Sequence, residues 1–176
     1  ESKFVVGHVG RMQLEKNHDF LIDVFAELKK SKPDAELILV GTGPLEEKVK
    51  SKVVEKGLSD CVHFLGNRKD MNRIYQAMDV FVFPSLFEGL GIVAIEAQAA
   101  GVPIVCSEGL PPETDITPIY RKLLLSDGAE KWANAALEMA QNQSAHTNMQ
   151  KYVIDAGFDM DATAKYMESY YLRKYN

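Results

Sequence analysis

Two carboxylates, Glu88 and Glu96, stand with seven residues between them, among which are Gly89 and Gly91, and the apolar run Val80 to Phe83 ends at Pro84 just upstream. This stretch predicts a strand, a glycine-bearing turn and a helix starting near Gly91. Glycines remove side chains where the backbone turns and where a ligand approaches the chain closely. A helix start leaves unpaired N–H donors and about half a unit of positive charge, which together attract phosphate. Acids flanking such a site would repel an anion unless they are aimed at something else. An ionised carboxylate only accepts hydrogen bonds, and a sugar diol offers two donors side by side. The same residues also fit a plainer arrangement, a buried strand and a core helix whose acids face water.

A phosphate site needs cations. With 20 Lys and Arg against 25 Asp and Glu, the chain has no general surface for nucleic acid or other polyanions, so any cations must be placed locally. Arg11 follows Gly10 at the end of the apolar run Phe4 to Val9, and Lys16 comes five residues later at the lip of the next expected helix. Arginine meets phosphate oxygens with a fork of donors and lysine with a compact charge. The alternative is that both are solvated loop charges. Lys29, Lys30, Lys32, Lys48, Lys50 and Lys52 are expected on outward helix faces or nearby turns as solubility charges. The loop Gly66-Asn67-Arg68 offers amide and backbone groups to a flat heterocycle. His8, His18, His63 and His146 show no metal-ligand spacing with one another or with cysteine. His18, at a helix start, is expected to face water. Cys61 and Cys106 are too few and too distant for a disulfide framework or a zinc site, and are expected to be small core residues.

The elements that would position these groups alternate. Strands are expected over Phe4 to Val9, Glu36 to Val40, Val62 to Leu65, Val80 to Phe83 and Pro103 to Cys106. Their near-continuous apolar character is that of strands covered on both faces. Between them come helices: one capped by Asn17 with Phe20, Leu21, Val24, Phe25 and Leu28 at helical spacing, then Leu45 to Lys56, Lys69 to Met78, and Gly91 to about Ala100. No hairpin signal interrupts the alternation. The expected fold is therefore α/β, a Rossmann-like doubly wound parallel sheet with helices on both faces. In that architecture ligands bind outside the carboxyl ends of the strands, where the turns at Gly10, Gly41, Gly43, Gly66, Gly89 and Gly91 fall.

Beyond Cys106 the pattern loosens into a loop around Pro111-Pro112-Glu113 and a short edge strand within Ile119 to Leu125. C-terminal helices follow over Ala129 to Gln141, around Asn148 to Ala156, and over Met160 to Arg173. The last is rich in tyrosine, and 160–176 is expected either to pack on its own domain or to reach toward a missing one. At 176 residues, 46% of them apolar, the chain is expected to form one domain, 1–176. No apolar run approaches the roughly 18 residues of a membrane span. The chain enters a strand directly rather than through a signal sequence. A soluble, intracellular domain with chain missing upstream is expected.

In combination, Gly10-Arg11 with Lys16, Val40-Gly41-Thr42-Gly43-Pro44, Val62-His63-Phe64-Leu65-Gly66, and above all Phe87-Glu88-Gly89-Leu90-Gly91 through Glu96-Ala97 resemble the donor-binding, C-terminal half of retaining GT-B glycosyltransferases of family 4. The similarity runs from about Val5 to Pro112. The resemblance implies transfer of a hexosyl-type sugar from a nucleotide diphosphate sugar, UDP-sugar favoured, to a glycan or lipid-linked acceptor, as in polysaccharide biosynthesis, without a metal or other cofactor. It implies a catalytic set of Arg11, Lys16 and Glu88, the first two on the diphosphate and the third on the transferred sugar. Donor contacts would come from Gly10, from Asn67 and Arg68 beside the base, from Gly89, Leu90, Gly91, Ile92 and Val93 through their amides, and from Glu96 on the ribose hydroxyls. It also implies a preceding acceptor-binding domain, so this fragment alone would be inactive, and a cytoplasmic location, peripheral to the membrane through that other half. Two departures stand out. Asn17 replaces the glycine that usually follows the lysine, and Glu108-Gly109-Leu110-Pro111 replaces a Gly-Gly step, which bears on the far wall of the sugar pocket. Alternatives are a nucleotide-sugar epimerase or phosphorylase of GT-B architecture, or a non-catalytic nucleotide-sugar-binding or assembly module. An NAD-binding domain is disfavoured, because the first turn lacks Gly-x-Gly-x-x-Gly.

Overall fold

The computed structural model describes residues 3–141 and 149–175. Six strands, β1 (Val5–Val9), β2 (Glu36–Val40), β3 (Val62–Gly66), β4 (Val80–Phe83), β5 (Ile104–Ser107) and β6 (Tyr120–Leu123), form one sheet in the order β3-β2-β1-β4-β5-β6. Every named pair in it is parallel. The helices are α1 (His18–Ser31), α2 (Glu46–Glu55), α3 (Met71–Tyr75), α4 (Ile92–Ala99), α5 (Ala129–Ala140), α6 (Gln150–Asp155) and α7 (Met160–Tyr175). The α/β Rossmann-like expectation holds.

The two faces of the sheet sort side chains by the period of two that a strand imposes. Val80 and Val82 of β4 join a core with Leu21, Phe25 and Leu28 of α1, Val49 and Val53 of α2, and Trp132 and Ala136 of α5. Phe81 and Phe83, from the same strand, face the other way and pack with Ile74 and Tyr75 of α3 and Ala94 and Ala97 of α4. Both faces are thus covered, which is why the strands read as unbroken apolar runs rather than as alternation. Chain order reverses direction between β1 and β4, where the chain has laid strands outward on one side and then resumes on the other. In open parallel sheets a crevice forms at such a reversal, at the carboxyl ends of the two strands. Arg11 and Lys16 follow β1 there, and the turn from Pro84 to Gly91 follows β4.

Several expectations change. The helix expected over Lys69 to Met78 is only the short α3, though Ile74, Tyr75 and Met78 are all buried. Lys52 is not a free surface charge. It spans Asp19 and Asp23 of α1 at 2.8 and 2.7 Å and ties α2 to α1. Lys29 donates to the carbonyls of Pro33 and Ala35 beyond the end of its helix. His18 is buried rather than facing water, for reasons given below. Cys106 is a core residue as expected, whereas Cys61 is half-buried. His146 and Asn148 lie outside the described residues.

The C-terminal helix α7 lies largely free of this domain. From Met160 to Lys174 every side chain but Ser169 is exposed, and in its first turn Met160 and Thr163 line a groove with Ile92, Ile95 and Phe158. Among the described residues no helix is long and apolar enough to cross a membrane.

Candidate functional site

One carboxylate and one cation that are distant in sequence, Glu88 and Lys16, meet at the ends of β1 and β4. A one-turn 3₁₀ segment, Leu14–Lys16, closes the loop after β1. The carbonyl of Glu15 accepts from the N–H of Leu86 at 2.7 Å, so the β1 loop and the β4 turn are stitched backbone to backbone. That stitch carries Lys16 to Glu88: Nζ lies 2.6 Å from Oε1, with the two side chains only 16% and 10% exposed. Lys16 also stands 5.0 Å above the Phe83 ring. Arg11, on the same loop, is exposed, and its guanidinium has no ion pair or hydrogen-bond partner among the described residues.

Asn17 accounts for one departure from the family pattern. Its φ is +52° and its ψ +44°, the left-handed region, in which glycine is unstrained and asparagine is the best tolerated of the others. The residue at that position must let the chain reverse from the 3₁₀ turn into α1. It was expected to cap α1 through its side chain, but it makes no such bond. Its backbone conformation is what the position demands.

The turn after β4 exposes a row of donors. Glu88 N–H donates to Gly109 and Ala94 N–H to Gly91, but between them the N–H groups of Gly89, Leu90, Gly91, Ile92 and Val93 find no acceptor among the described residues. Gly91 sits at the N-cap of α4 with φ +72°, a conformation that costs any other residue about 1 kcal/mol or more. The same backbone argument does not hold for Gly89, whose φ is not positive and whose missing Cβ would meet nothing within 4 Å. Gly89 borders open space. On the far side, a Cβ on Gly109 would lie 2.3 Å from the carbonyl oxygen of Leu86, and Ser107 Oγ donates to the carbonyl of Ser85. Gly109 is therefore needed for close approach of two backbones, and the replaced Gly-Gly step keeps the one glycine that braces the Pro84–Glu88 turn.

Glu96 projects from the second turn of α4, exposed, with Oε2 accepting from Tyr75 Oη at 2.9 Å. It stands between two grooves. One of about 420 Å³ is lined by Met71, Tyr75, Gln76 and Glu96 itself, and an apolar one of about 500 Å³ is lined by Leu90, Ile92, Ile95 and Phe158. Arg11 stands exposed on the loop after β1, Lys16 and Glu88 form a mostly covered pair, and a small hollow of about 50 Å³ is lined by Gln13, Asn17 and His18. At the β3 end, Asn67 is exposed, while Arg68 grips Asp70 with two bonds of 2.9 and 2.8 Å. That guanidinium holds the Asp70 carboxyl down to about 2. Gly10 lies under Lys16, whose Cδ would be 3.2 Å from a Cβ added there.

Two histidines missed as part of this region lie beneath it. His8, in β1, is fully buried, its Nδ1 donating to the carbonyl of Val82 at 2.9 Å. His18 is 3% exposed and packs edge-on against it, ring centroids 4.6 Å apart. Burial, and then the charge of Lys16, lower the pKa of His18 to about 4. His8 is likewise lowered by burial and by its neighbour His18. Both rings are neutral at pH 7, so the cationic character of the rim comes from Arg11 and Lys16. No group of three or more His, Cys, Asp or Glu side chains is placed to hold a metal ion among the described residues.

With this geometry the chain compares closely with known proteins. Residues 1–156 match the family described as glycosyl transferases group 1. A D-inositol 3-phosphate glycosyltransferase of Corynebacterium jeikeium is 33% identical over 182 aligned residues, covering 95% of this chain and 43% of that one. The sucrose-phosphate synthase of Thermosynechococcus elongatus superposes with a TM-score of 0.82 at 27% identity, over 98% of this chain and 46% of the other. HepE of Anabaena, solved in complex with UDP and glucose, shares the fold with a TM-score of 0.76 at 22% identity over 96% of this chain and 49% of its own. The chain spans between 32% and 43% of the length of the first curated relatives it matches. Sharing their Rossmann-like GT-B fold and matching the family over most of its length, the chain belongs to the group 1 glycosyltransferases.

Proposed function

We propose that this chain is the donor-binding domain of a retaining GT-B enzyme of family 4, which transfers a hexosyl sugar from a nucleotide diphosphate sugar, a UDP-sugar first among them, to a glycan or lipid-linked acceptor. The observation that carries the proposal is the placement, after the carboxyl ends of the adjacent strands β1 and β4, of an unpaired row of amides from Gly89 to Val93, of Lys16 paired to the neighbouring Glu88, and of the unpaired Arg11 guanidinium. Donors fixed in place before the anion arrives need no reorganisation when charge develops on a leaving group, which is what electrostatic catalysis requires. The diphosphate would lie on Arg11, Lys16 and the amides, and no metal would be needed to balance it. Glu88 would accept from the transferred sugar and Glu96 from the ribose hydroxyls. Asn67 and Arg68 would flank the base. Lys16 is already paired with Glu88, so donor binding inserts a diphosphate beside an existing ion pair.

The UDP-bound neighbour of the same fold supports uracil as the base. Acceptor binding and transfer are assigned to the rest of a longer protein, and the domain alone would bind donor and transfer nothing. Titration of UDP, GDP and ADP against the wild type and Arg11→Ala tests the assignment. Weaker binding by the variant, by about tenfold for one lost charge-assisted contact, supports it. Equal binding by the two, or no binding of any of the three, overturns it.

A further inference from the structure

Tyr75 is buried at 3% exposure, yet its hydroxyl reaches the surface carboxylate of Glu96. The ring is fixed by the core: it packs edge-on to Phe81, centroids 6.2 Å apart, among Ile74, Ala94 and Ala97. The hydroxyl has two acceptors within reach, Glu96 Oε2 at 2.9 Å and the Val93 carbonyl at 3.3 Å. Burial, and then the adjacent carboxylate, push the phenol's pKa up, so it stays protonated and donates to the carboxylate. A carboxylate on an exposed helix face otherwise rotates among several rotamers, and ordering such a side chain costs up to about 2 kcal/mol. Here one oxygen is held while Oε1 has no hydrogen-bond partner among the described residues. Tyr75 closes α3, the element that immediately follows the Gly66–Arg68 loop, and Glu96 belongs to α4.

From this we propose that Tyr75 is a positioning residue for donor recognition: it holds Glu96 so that the free carboxylate oxygen meets the ribose hydroxyls of the nucleotide, and it couples α3 to the ribose contact. This rests on the assignment of Glu96 to the ribose. It adds a residue whose role is read from the contact itself. The position of Tyr75 was not legible as functional in the sequence, where it appears as one apolar position of a short helix.

The test uses the chain with UDP and 2′,3′-dideoxy-UDP, which differ only in the two hydroxyls, titrated against wild type, Tyr75→Phe, Glu96→Ala and the double variant. Tyr75→Phe is expected to weaken UDP by about two- to tenfold, the range of one neutral hydrogen bond, and to leave 2′,3′-dideoxy-UDP unchanged. In the Glu96→Ala background the same substitution is expected to change neither ligand. Thermal melting of each variant is followed alongside, since a loss of fold would weaken both ligands equally. If Glu96→Ala weakens UDP selectively while Tyr75→Phe does not, the positioning role is overturned and the ribose role of Glu96 stands. If Glu96→Ala spares the difference between the two ligands, or wild type does not distinguish them, the ribose assignment itself fails and the Tyr75 proposal falls with it.

Discussion

Replacing Glu88 by Gln perturbs the rim at one point and predicts opposite effects on two ligands. Lys16 Nζ and Glu88 Oε1 are 2.6 Å apart. At an effective dielectric of about 20, unit charges at that separation attract by about 6 kcal/mol. Much of this is offset by withdrawing two mostly covered charges from water, so the net coupling expected is about 1–3 kcal/mol. Glu88→Gln should therefore lower the melting temperature by about 2–12 °C, at roughly 2–4 °C per kcal/mol for a chain of this size. For binding, a diphosphate seated on Lys16 would lie about 6 Å from the Glu88 carboxylate, where like charges repel by about 3 kcal/mol at that dielectric and under 1 kcal/mol in water. Taking about 1 kcal/mol for a half-open rim, Glu88→Gln should bind bare UDP about fivefold tighter. If Glu88 accepts from the sugar as proposed, the same variant loses a charged acceptor, so the preference for UDP-glucose over UDP should fall about tenfold or more. Calorimetric titration of both ligands at 0.15 M salt reads the two effects separately. Weaker UDP binding by Glu88→Gln, or an unchanged preference, would refute the placement of diphosphate and sugar on either side of this ion pair.

Three further outcomes follow from single contacts. Asn17→Val puts a β-branched residue at φ +52° and should cost about 1–2 kcal/mol by urea unfolding, whereas Asn17→Gly should lie within about 0.5 kcal/mol of wild type; equal stability of the two variants would contradict the left-handed assignment. Gly109→Ala drives a Cβ into the Leu86 carbonyl and should destabilise by about 1–3 kcal/mol while weakening UDP, and a silent substitution would show that the Pro84–Glu88 turn is not braced there. His18 has a folded pKa of about 4 against an ordinary 6.5. Between those values the unfolded chain binds a proton that the folded site refuses, so stability is full above pH 6.5 and falls as pH drops to 4, by about 3 kcal/mol from this group. Urea midpoints across pH 4–7 should show that loss in wild type and less of it in His18→Leu; the same loss in both would show that His18 is not its source.

The sheet was legible because parallel strands covered on both faces have nowhere to put polar residues. Glu36–Val40 and Val80–Phe83 could be bounded to the residue for that reason. The gathering of glycines and cations at the carboxyl ends of β1 and β4 was legible too, from where the apolar runs stop. What single-chain spacing could not supply was pairing over distance. Lys16 and Glu88 are 72 residues apart and Tyr75 and Glu96 are 21 apart, and neither partner's local pattern signals the other. His18 was misread for a related reason: the first residue of a helix is commonly solvated, whereas here the His8 ring from the adjoining strand packs edge-on against it and the position is buried. Lys52 looked like an outward charge because its two partners lie on a different helix. Asn17 carried a signal that was assigned to the wrong cause, a side-chain cap rather than a left-handed backbone.

The proposed function puts one nucleotide diphosphate between the loop after β1 and the turn after β4. Backbone amide shifts of the isotopically labelled chain, followed as UDP is added, read that location directly. The largest changes are expected at Gly10 to Asn17 and at Gly89 to Val93, with the free N–H groups of the latter moving most. Changes confined to the apolar groove beside α7, or to the amino-terminal edge of the sheet, would contradict it.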